Sequence, residues 1–508
     1  MSTPAGATFV DAIRAHADRA PQAPALLTPG GPVGYGELAE RIDRLAAHLA
    51  AHGLGPERVC AVALPPGADA VVAIAAVVRT GGAFLTLDTE LPDGRLAALA
   101  AGGAAAHLLT TAALADRLGP LVGAPALLLD RLPAAPPAAP AFPAPHPRSL
   151  AYVSHTSGST GAPNPVLIEH HGLDTYLRAV ARDNHLGPGT VTLQLAPPGY
   201  DASIRDTFAP LTAGGCVVLV DRSRLLRAEA FADTVAEYGV DTVLSTTPSF
   251  LTFLSQHPRA AERLRSLRLL CSSGESLRPF LAAGGRALVG GRLVNQYGPT
   301  ECTMTSTRYE VPADPDTATD TVGTPIEGTV VRLLDPRGRE VPAGQVGEVH
   351  IGGAGVARGY GGLPGLTADR FPPDPHGPPG TRLYRTGDLA RRGPDGTLDY
   401  LGRADRQLKI RGHRVDPAEI EGALLTHPDV TGAVVTAETD DRGRTWLDAH
   451  VTGPLAATPD ARLRAHLALT LPPHMMPRRF TRLERLPVTH SGKTDRRALR
   501  APVPEAVA

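Results

Sequence analysis

Residues 58 to 88 read RVCAVALP, PGADAVVAIAAVVRTGG and AFLTLD in succession. An apolar run of strand length, an apolar stretch of helix length and a second strand-length run alternate, each bounded by Pro or Gly. Strands joined through a helix pair in parallel, because the connection is too long for a hairpin and must cross back over the sheet. The alternation predicts an α/β architecture around a largely parallel sheet. Just upstream, YGELAERIDRLAAHLAAHG (35 to 53) spaces apolar residues three and four apart and ends on Gly53, an amphipathic helix with a glycine stop.

RLPAAPPAAPAFPAPHPRS (131 to 149) is a Pro/Ala connector, extended and semi-rigid. It is expected to separate a first α/β portion from a second that opens with the strand SLAYVS. From about residue 320 the texture turns to short β runs broken by DPRG and PDG turns, in which Pro sets φ and Gly accepts a positive φ. A compact tail follows GRAD. It reads as a strand QLKIRGHRV, a helix DPAEIEGALLTHP with Asp416 as N-cap and Pro417 in its first turn, a strand GAVVTAE and a helix DARLRAHLALTL.

At 508 residues the chain exceeds one ordinary core, and two to four units are expected. The net charge of −1, with acids and bases interspersed, argues against nucleic acid or a membrane surface as partner. Cys60, Cys216, Cys271 and Cys302 form no CxxC pair, so reduced thiols in a cytoplasm are expected. The N-terminus shows no secretory signal, and the longest apolar run, 70 to 78, is about half a membrane span.

Only two of the 50 basic residues are lysines, Lys409 and Lys493. A chain that writes its surface cations as Arg keeps Lys where a compact point charge is needed. A second chemical signal is YVSHTSGSTGAPNPV (152 to 166), a strand running into hydroxyls and glycines. Backbone N–H groups freed by glycine, with hydroxyl donors beside them, make a phosphate cradle. It is not GxxxxGK[ST], because Pro163, Asn164 and Pro165 close it; a Ser/Thr/Gly loop alone is more often simply a loop.

Four further motifs follow in order: NQYGPTECTM (295 to 304), LYRTGDLA (383 to 390), GRADRQLKIRGHRVDPAEIE (402 to 421) and PVTHSGKTDRRAL (487 to 499). Together with the phosphate loop they resemble the adenylation domains of nonribosomal peptide synthetases, in the superfamily of acyl-CoA synthetases and luciferases. YGEL, RTGGAFLTLDTELPDGRL, YDASIRDTF and GEVHIGG extend the likeness over residues 10 to 500 or so. The resemblance implies a large α/β core over 1–403, built of two α/β subdomains and a β-rich one. A small mobile α+β lid would cover 404–508, with its hinge near Asp405.

It also implies ATP and Mg²⁺. Thr156, Ser157, Gly158, Ser159, Thr160 and Gly161 would wrap the β- and γ-phosphates. Tyr297 would lie against adenine, with Asn295 and Gly298 of the same motif beside it. Thr300 would donate to the α-phosphate, Glu301 would hold the metal, Asp388 would accept from the ribose and Arg403 would assist. Lys493 would reach from the lid to the substrate carboxylate and the α-phosphate, bridging two anions. Lys409, after Asp405, belongs to the face expected to turn inward for thiolation. Each residue has a plainer role available by itself: core for Tyr297, an exposed acid for Glu301, a turn cap for Asp388, an exposed strand cation for Lys409. One departure stands out, because the family writes Lys-Gly after the loop proline where this chain has Asn164-Pro165. Weaker pyrophosphate handling is the expectation.

The same likeness places a substrate pocket at Asp201, Ala202, Arg205, Ser249, Cys271, Ser273, Gln296, Met304, Thr305 and Lys493. Asp201 is what an amino-acid pocket presents to the ammonium. A guanidinium at 205 costs desolvation unless something neutralises it. It suits an acidic or polar side chain, or it pairs with Asp206 and points away. The chain ends about fifteen residues after Lys493 without a pantetheine-accepting segment, so a free-standing enzyme loading a phosphopantetheine on a separate carrier protein is expected. An acid–CoA ligase and a non-catalytic nucleotide-binding protein are the alternatives.

Overall fold

The computed structural model describes residues 7–135, 142, 144–158, 162–404, 407–440, 445–455, 458–487, 496, 498 and 499. Val59–Val62 pairs in parallel with Ala83–Thr86 on one side and Ala105–Thr110 on the other, as the alternating pattern requires. The crossover helix Ala68–Arg79 buries Val71, Val72, Ala75, Ala76, Val77 and Val78. The helix Tyr35–Ala51 buries Tyr35, Leu38, Ile42, Leu45 and Leu49, a stripe at helical spacing, and Gly53 takes φ 83° just past its end.

The Pro/Ala connector does not separate two α/β portions. Leu150–Thr156, the strand that follows it, returns to the first sheet, in parallel with Ala83–Thr86, and Asn164–Glu169 then pairs with it antiparallel. The N-terminal strand Pro24–Thr28 goes the other way and pairs in parallel with Cys216–Val218. Proline denies a segment ladder hydrogen bonds, but it leaves the next strand free to rejoin the sheet it came from.

Among the described residues the strands form sheets of 13, 7, 2 and 3 strands. The β-rich stretch is continuous with the largest sheet: Thr321–Pro325 pairs with Thr307–Glu310 on one side and with Leu398–Arg403 on the other. Helices lie between the 13- and 7-stranded sheets, and one core there joins Phe9, Leu38, Val71, Leu177 and Phe208 to strands of both. Further apolar clusters cover the outer face of each sheet.

C-terminal residues carry their own core of Ile410, Val415, Ile420, Leu424, Leu447, Leu463 and Phe480. QLKIRGHRV is not one strand. Leu408–Ile410 and His413–Val415 form an antiparallel hairpin, because Arg411 and Gly412 take φ of 50° and 80°, a two-residue turn with both central residues left-handed. The helix Pro417–Leu425 begins as expected, with the Asp416 carboxylate accepting from the amide of Ala418 at 3.0 Å. No described helix is long and apolar enough to cross a membrane, and all four cysteines are buried free thiols.

Candidate active site

Adjacent strand ends of the large sheet bring one group of motif residues together. Asp388 and Arg403 face each other across Tyr384–Arg392 and Leu398–Arg403, and Arg403 donates to Asp388 Oδ1 at 2.8 Å. The phenols of Tyr297 (2.6 Å) and Tyr400 (3.2 Å) donate to the same carboxylate. Burial, then the charge of Asp388, pushes the Tyr297 phenol far above its ordinary range, so it stays a donor. Asn295, two residues earlier on the same strand, donates to the carbonyl of Thr321 at 2.9 Å. Gly298 lies where the chain doubles back: a Cβ there would stand 2.5 Å from the carbonyl oxygen of Met304. Thr303 and Met304 both take left-handed φ, 56° and 71°, which for non-glycine residues is strain stored beside a functional site.

Glu301 sits in the 3₁₀ turn Thr300–Cys302 and is fully buried. Its carboxylate accepts from Tyr360 Oη at 2.8 Å, from Thr156 Oγ1 at 3.4 Å, and from Arg414 Nη1 at 3.0 Å to both oxygens. Burial raises the carboxyl's pKa, but the Arg414 charge and the Tyr360 phenol outweigh it and hold the group below its usual range. Thr156 ends the strand Leu150–Thr156, and the Ser157 hydroxyl donates to the backbone carbonyl of Arg414. A Cβ on Gly158 would overlap the carbonyl oxygen of Ala162 at 2.0 Å, so only glycine fits at this position. Ser159, Thr160, Gly161, Asp405 and Lys493 lie outside the described residues.

Arg414 and Lys409 arrive from the C-terminal hairpin, where they are direct cross-strand partners. Lys409 is not the free exposed cation of the plainer reading. Its ammonium stands 5.7 Å from the ring centre of Tyr297 and 5.4 Å from that of Tyr400. Burial holds its pKa below the usual lysine value. Behind the hairpin, Tyr200 packs on His413 at 4.5 Å and His413 stacks on His474 at 4.1 Å, while Arg95 pairs with Glu419. The hairpin therefore lies across the site whose residues the motifs predicted.

Of the residues expected to line a substrate pocket, the described ones gather on one side of this site except Ser249, and Lys493 lies outside the described residues. Asp201 precedes the helix Ala202–Thr212; its Oδ2 is buried without a hydrogen-bond partner, and burial raises its pKa. Arg205, on the same helix, is 2% exposed. Its Nη1 donates to Gln296 Oε1 at 2.8 Å and Thr305 Oγ1 at 3.1 Å, and its Nη2 to Ser245 Oγ at 2.5 Å. Its Nε is 3.8 Å from Asp206, itself wholly buried and bonded to Ser245 and the amides of Leu195 and Ala196. Arg205 thus pairs with Asp206 and still bonds pocket residues, so the two sequence alternatives are not exclusive. Cys271 and Met304 are buried nearby, with Ala202 and Ser273 partly so. Ser249 is the exception. It is exposed, and its amide donates to Glu275 at 2.9 Å.

The AMP-binding enzyme family model matches residues 13–361, and the AMP-binding enzyme C-terminal domain matches 419–493. The chain belongs to the AMP-binding enzyme family. Within it, the chain is 36% identical over 502 residues to a dimodular nonribosomal peptide synthase of Bacillus subtilis, covering 95% of this chain and 21% of that protein. It is 36% identical over 504 residues to novobiocin biosynthesis protein H of Streptomyces niveus, covering 95% of this chain and 80% of that one. The solved structure of holo-PA1221, an NRPS protein containing adenylation and PCP domains bound to a vinylsulfonamide inhibitor, superposes with a TM-score of 0.84 at 29% identity. That match covers 97% of this chain and 84% of the other. This AMP-binding enzyme is an AMP-forming ligase of the nonribosomal peptide synthetase adenylation type, though it spans only about a fifth of the Bacillus synthase.

AMP-binding enzymes use ATP and Mg²⁺. The residues here fit both. Mg²⁺ is usually held by one or two carboxylates plus substrate phosphates, and Glu301 is a buried carboxylate that already carries a cationic partner. The described residues contain no group of three His, Cys, Asp or Glu able to cage a metal by themselves. Several contributors escaped the sequence. Tyr360, which donates to Glu301, carries no motif signal, and Tyr384, which flanks it, stands inside LYRTGDLA without having been singled out. Tyr400 was legible in principle, since period-two alternation sets it on the same face of its strand as Leu398.

Proposed function

We propose that this chain activates an amino acid as its aminoacyl-AMP with release of pyrophosphate. It then passes the acyl group to the phosphopantetheine thiol of a carrier protein. One observation carries the reading: Asp201 Oδ2, on the carboxylate suited to a substrate ammonium, is buried without a hydrogen-bond partner. An amino acid held there by its ammonium has its carboxylate beside the nucleotide. Attack of that carboxylate on the α-phosphorus expels pyrophosphate, and catalysis is positioning plus electrostatics. Mg²⁺ supplies charge neutralisation for the phosphates, and Glu301 with Thr156 would hold it. Tyr297, Asn295 and Gly298 would border the adenine, Asp388 and Arg403 the ribose. Thr156 through Gly161 would take the β- and γ-phosphates, and Asp405 would be the hinge of a lid that begins near residue 404.

The side-chain end of the pocket supports a polar substrate. Arg205 Nε and Gln296 Nε2 are buried without a partner, and a buried donor left unmet costs about 1–3 kcal/mol. A hydrogen-bond acceptor on the substrate relieves that cost. Since Asp206 already balances Arg205, a neutral acceptor such as an amide or hydroxyl fits better than a second carboxylate. ATP–pyrophosphate exchange across an amino-acid panel tests both levels. Exchange with glutamine, asparagine, serine or threonine is expected, weaker exchange with glutamate or aspartate, and none with leucine or phenylalanine. Exchange confined to apolar amino acids removes the side-chain argument; none with any amino acid removes the reading.

The docked hairpin supports the second step. A Cβ on Gly412 would stand 2.5 Å from Thr247 Cγ2, and its φ of 80° already disfavours any side chain. Gly412→Val is expected to lower thioester formation at least tenfold while exchange changes less than twofold, measured on the same preparation.

A further inference from the structure

Gln296 stands beside two buried guanidiniums. Its Oε1 accepts from Arg205 Nη1 at 2.8 Å and from Thr305 Oγ1 at 3.4 Å. The second guanidinium belongs to Arg308, its direct partner across the strands Arg292–Tyr297 and Thr307–Glu310, so the two side chains share one face of the sheet. The Arg308 side chain is 9% exposed. Its Nη1 is spent on Asp183 Oδ2 at 2.9 Å and on the carbonyl of Ala179 at 3.4 Å. Its Nε and Nη2 are buried without a partner, and together they form the side-on edge of the fork, which takes acceptors in parallel. Burial pushes the Cys271 thiol up to about 11 against the pull of Arg205 and Arg308, so no thiolate fills that edge.

A guanidinium only donates, so only the carbonyl end of Gln296 can satisfy either one. With both lone pairs of that carbonyl on Arg205 and Thr305, Arg205 Nε, Gln296 Nε2, Arg308 Nε and Arg308 Nη2 are all left unmet. A substrate acceptor that takes over Arg205 Nη1 releases the carbonyl. A half-turn of the amide, a soft two-fold torsion, then carries the carbonyl to the Arg308 edge and swings Nε2 onto the substrate acceptor. That acceptor gains two donors, and Arg308 gains its missing partner. An apolar side chain releases nothing and leaves all four nitrogens unmet.

We propose that Arg308 determines specificity from behind the pocket, by giving the Gln296 carbonyl a second seat when a polar substrate displaces it from Arg205. The inference rests on the adenylation reading above and deepens its substrate class. Arg308 touches no substrate in this scheme, so it is a positioning residue acting through Gln296.

Two variants of the full chain separate this role from a merely structural one. Arg308→Lys keeps a cation for Asp183 but lacks the side-on edge; Asp183→Asn removes the ion pair but keeps the edge. In pyrophosphate exchange with the preferred polar amino acid, Arg308→Lys should raise KM at least fivefold with kcat within twofold. Asp183→Asn should leave KM within twofold. Equal rises in both variants, or a parent-like KM in a folded Arg308→Lys protein, overturn the proposal. A second arm needs no turnover. Protein labelled with nitrogen-15 glutamine is held with α,β-methylene-ATP, which cannot be cleaved at the α-phosphorus, and the Gln296 amide signal is identified by its loss in Gln296→Met. Glutamine or threonine should shift that signal, their near-isosteres methionine and valine should not, and Arg308→Lys should abolish the shift. An amide that no amino acid moves, or that apolar ones move equally, overturns the proposal. Absence of exchange with every amino acid instead removes the adenylation reading, whatever the amide does.

Discussion

Lys493→Ala will lower ATP–pyrophosphate exchange a hundredfold or more while leaving the melting curve unchanged. In the proposed reaction a carboxylate must approach a phosphate that is itself anionic, and a cation between them lowers that barrier. Losing one such preorganised donor costs about 3 kcal/mol, a factor of roughly a hundred in rate. Lysine suits the task because its ammonium is compact and its stem flexible, whereas the arginine this chain uses almost everywhere else is a broad planar fork. The docked hairpin sharpens the expectation. It already lays Lys409 and Arg414 across the nucleotide residues, so a third cation reaches the same anions only when the hairpin lies elsewhere. Transfer from preformed aminoacyl-AMP to a thiol should therefore be nearly untouched in the variant. Near-normal exchange by Lys493→Ala would remove the residue from the chemistry.

Arg205→Ala will destabilise the large domain by about 3–5 kcal/mol, the usual cost of stripping one partner from a buried ion pair. Asp206 and Arg205 are both buried, and the carboxylate keeps only the neutral donors of Ser245, Leu195 and Ala196 once the guanidinium is gone. Gln296 Oε1 and Thr305 Oγ1 lose a donor in the same step. Replacing both charges at once, Arg205→Met with Asp206→Asn, should cost less than Arg205→Ala alone. That non-additivity, read from denaturant unfolding of the three proteins, identifies the pair as a unit. If Arg205→Ala unfolds like the parent protein yet changes the amino-acid profile, the guanidinium serves the substrate instead of the fold.

Residues whose chemistry is demanding were the legible ones. Tyr297, Glu301, Asp388 and Arg403 sit in short ordered motifs; Tyr297 and Arg403 meet at Asp388, while Glu301 meets Arg414. The described pocket residues inferred from the same motifs converge too, except Ser249, which one turn of helix at the surface carries into solvent. The hairpin misled, because LKI and HRV each read as extended and only the backbone at Arg411 and Gly412 reverses them. The connector misled for a different reason: composition reports its stiffness, not the sheet to which the next strand returns.

Strand and helix periodicity, the caps at Gly53 and Asp416, the phosphate loop and the order of the motifs were set by local sequence, since each depends on residues a few positions apart. Sheet membership, the pairing of Arg205 with Asp206 and the seating of Arg414 on Glu301 were decided by tertiary structure alone. Each joins groups brought together only when sheets and lobes close, and each is settled by desolvation, which compels a buried charge to take whichever counterion the closed fold puts within reach.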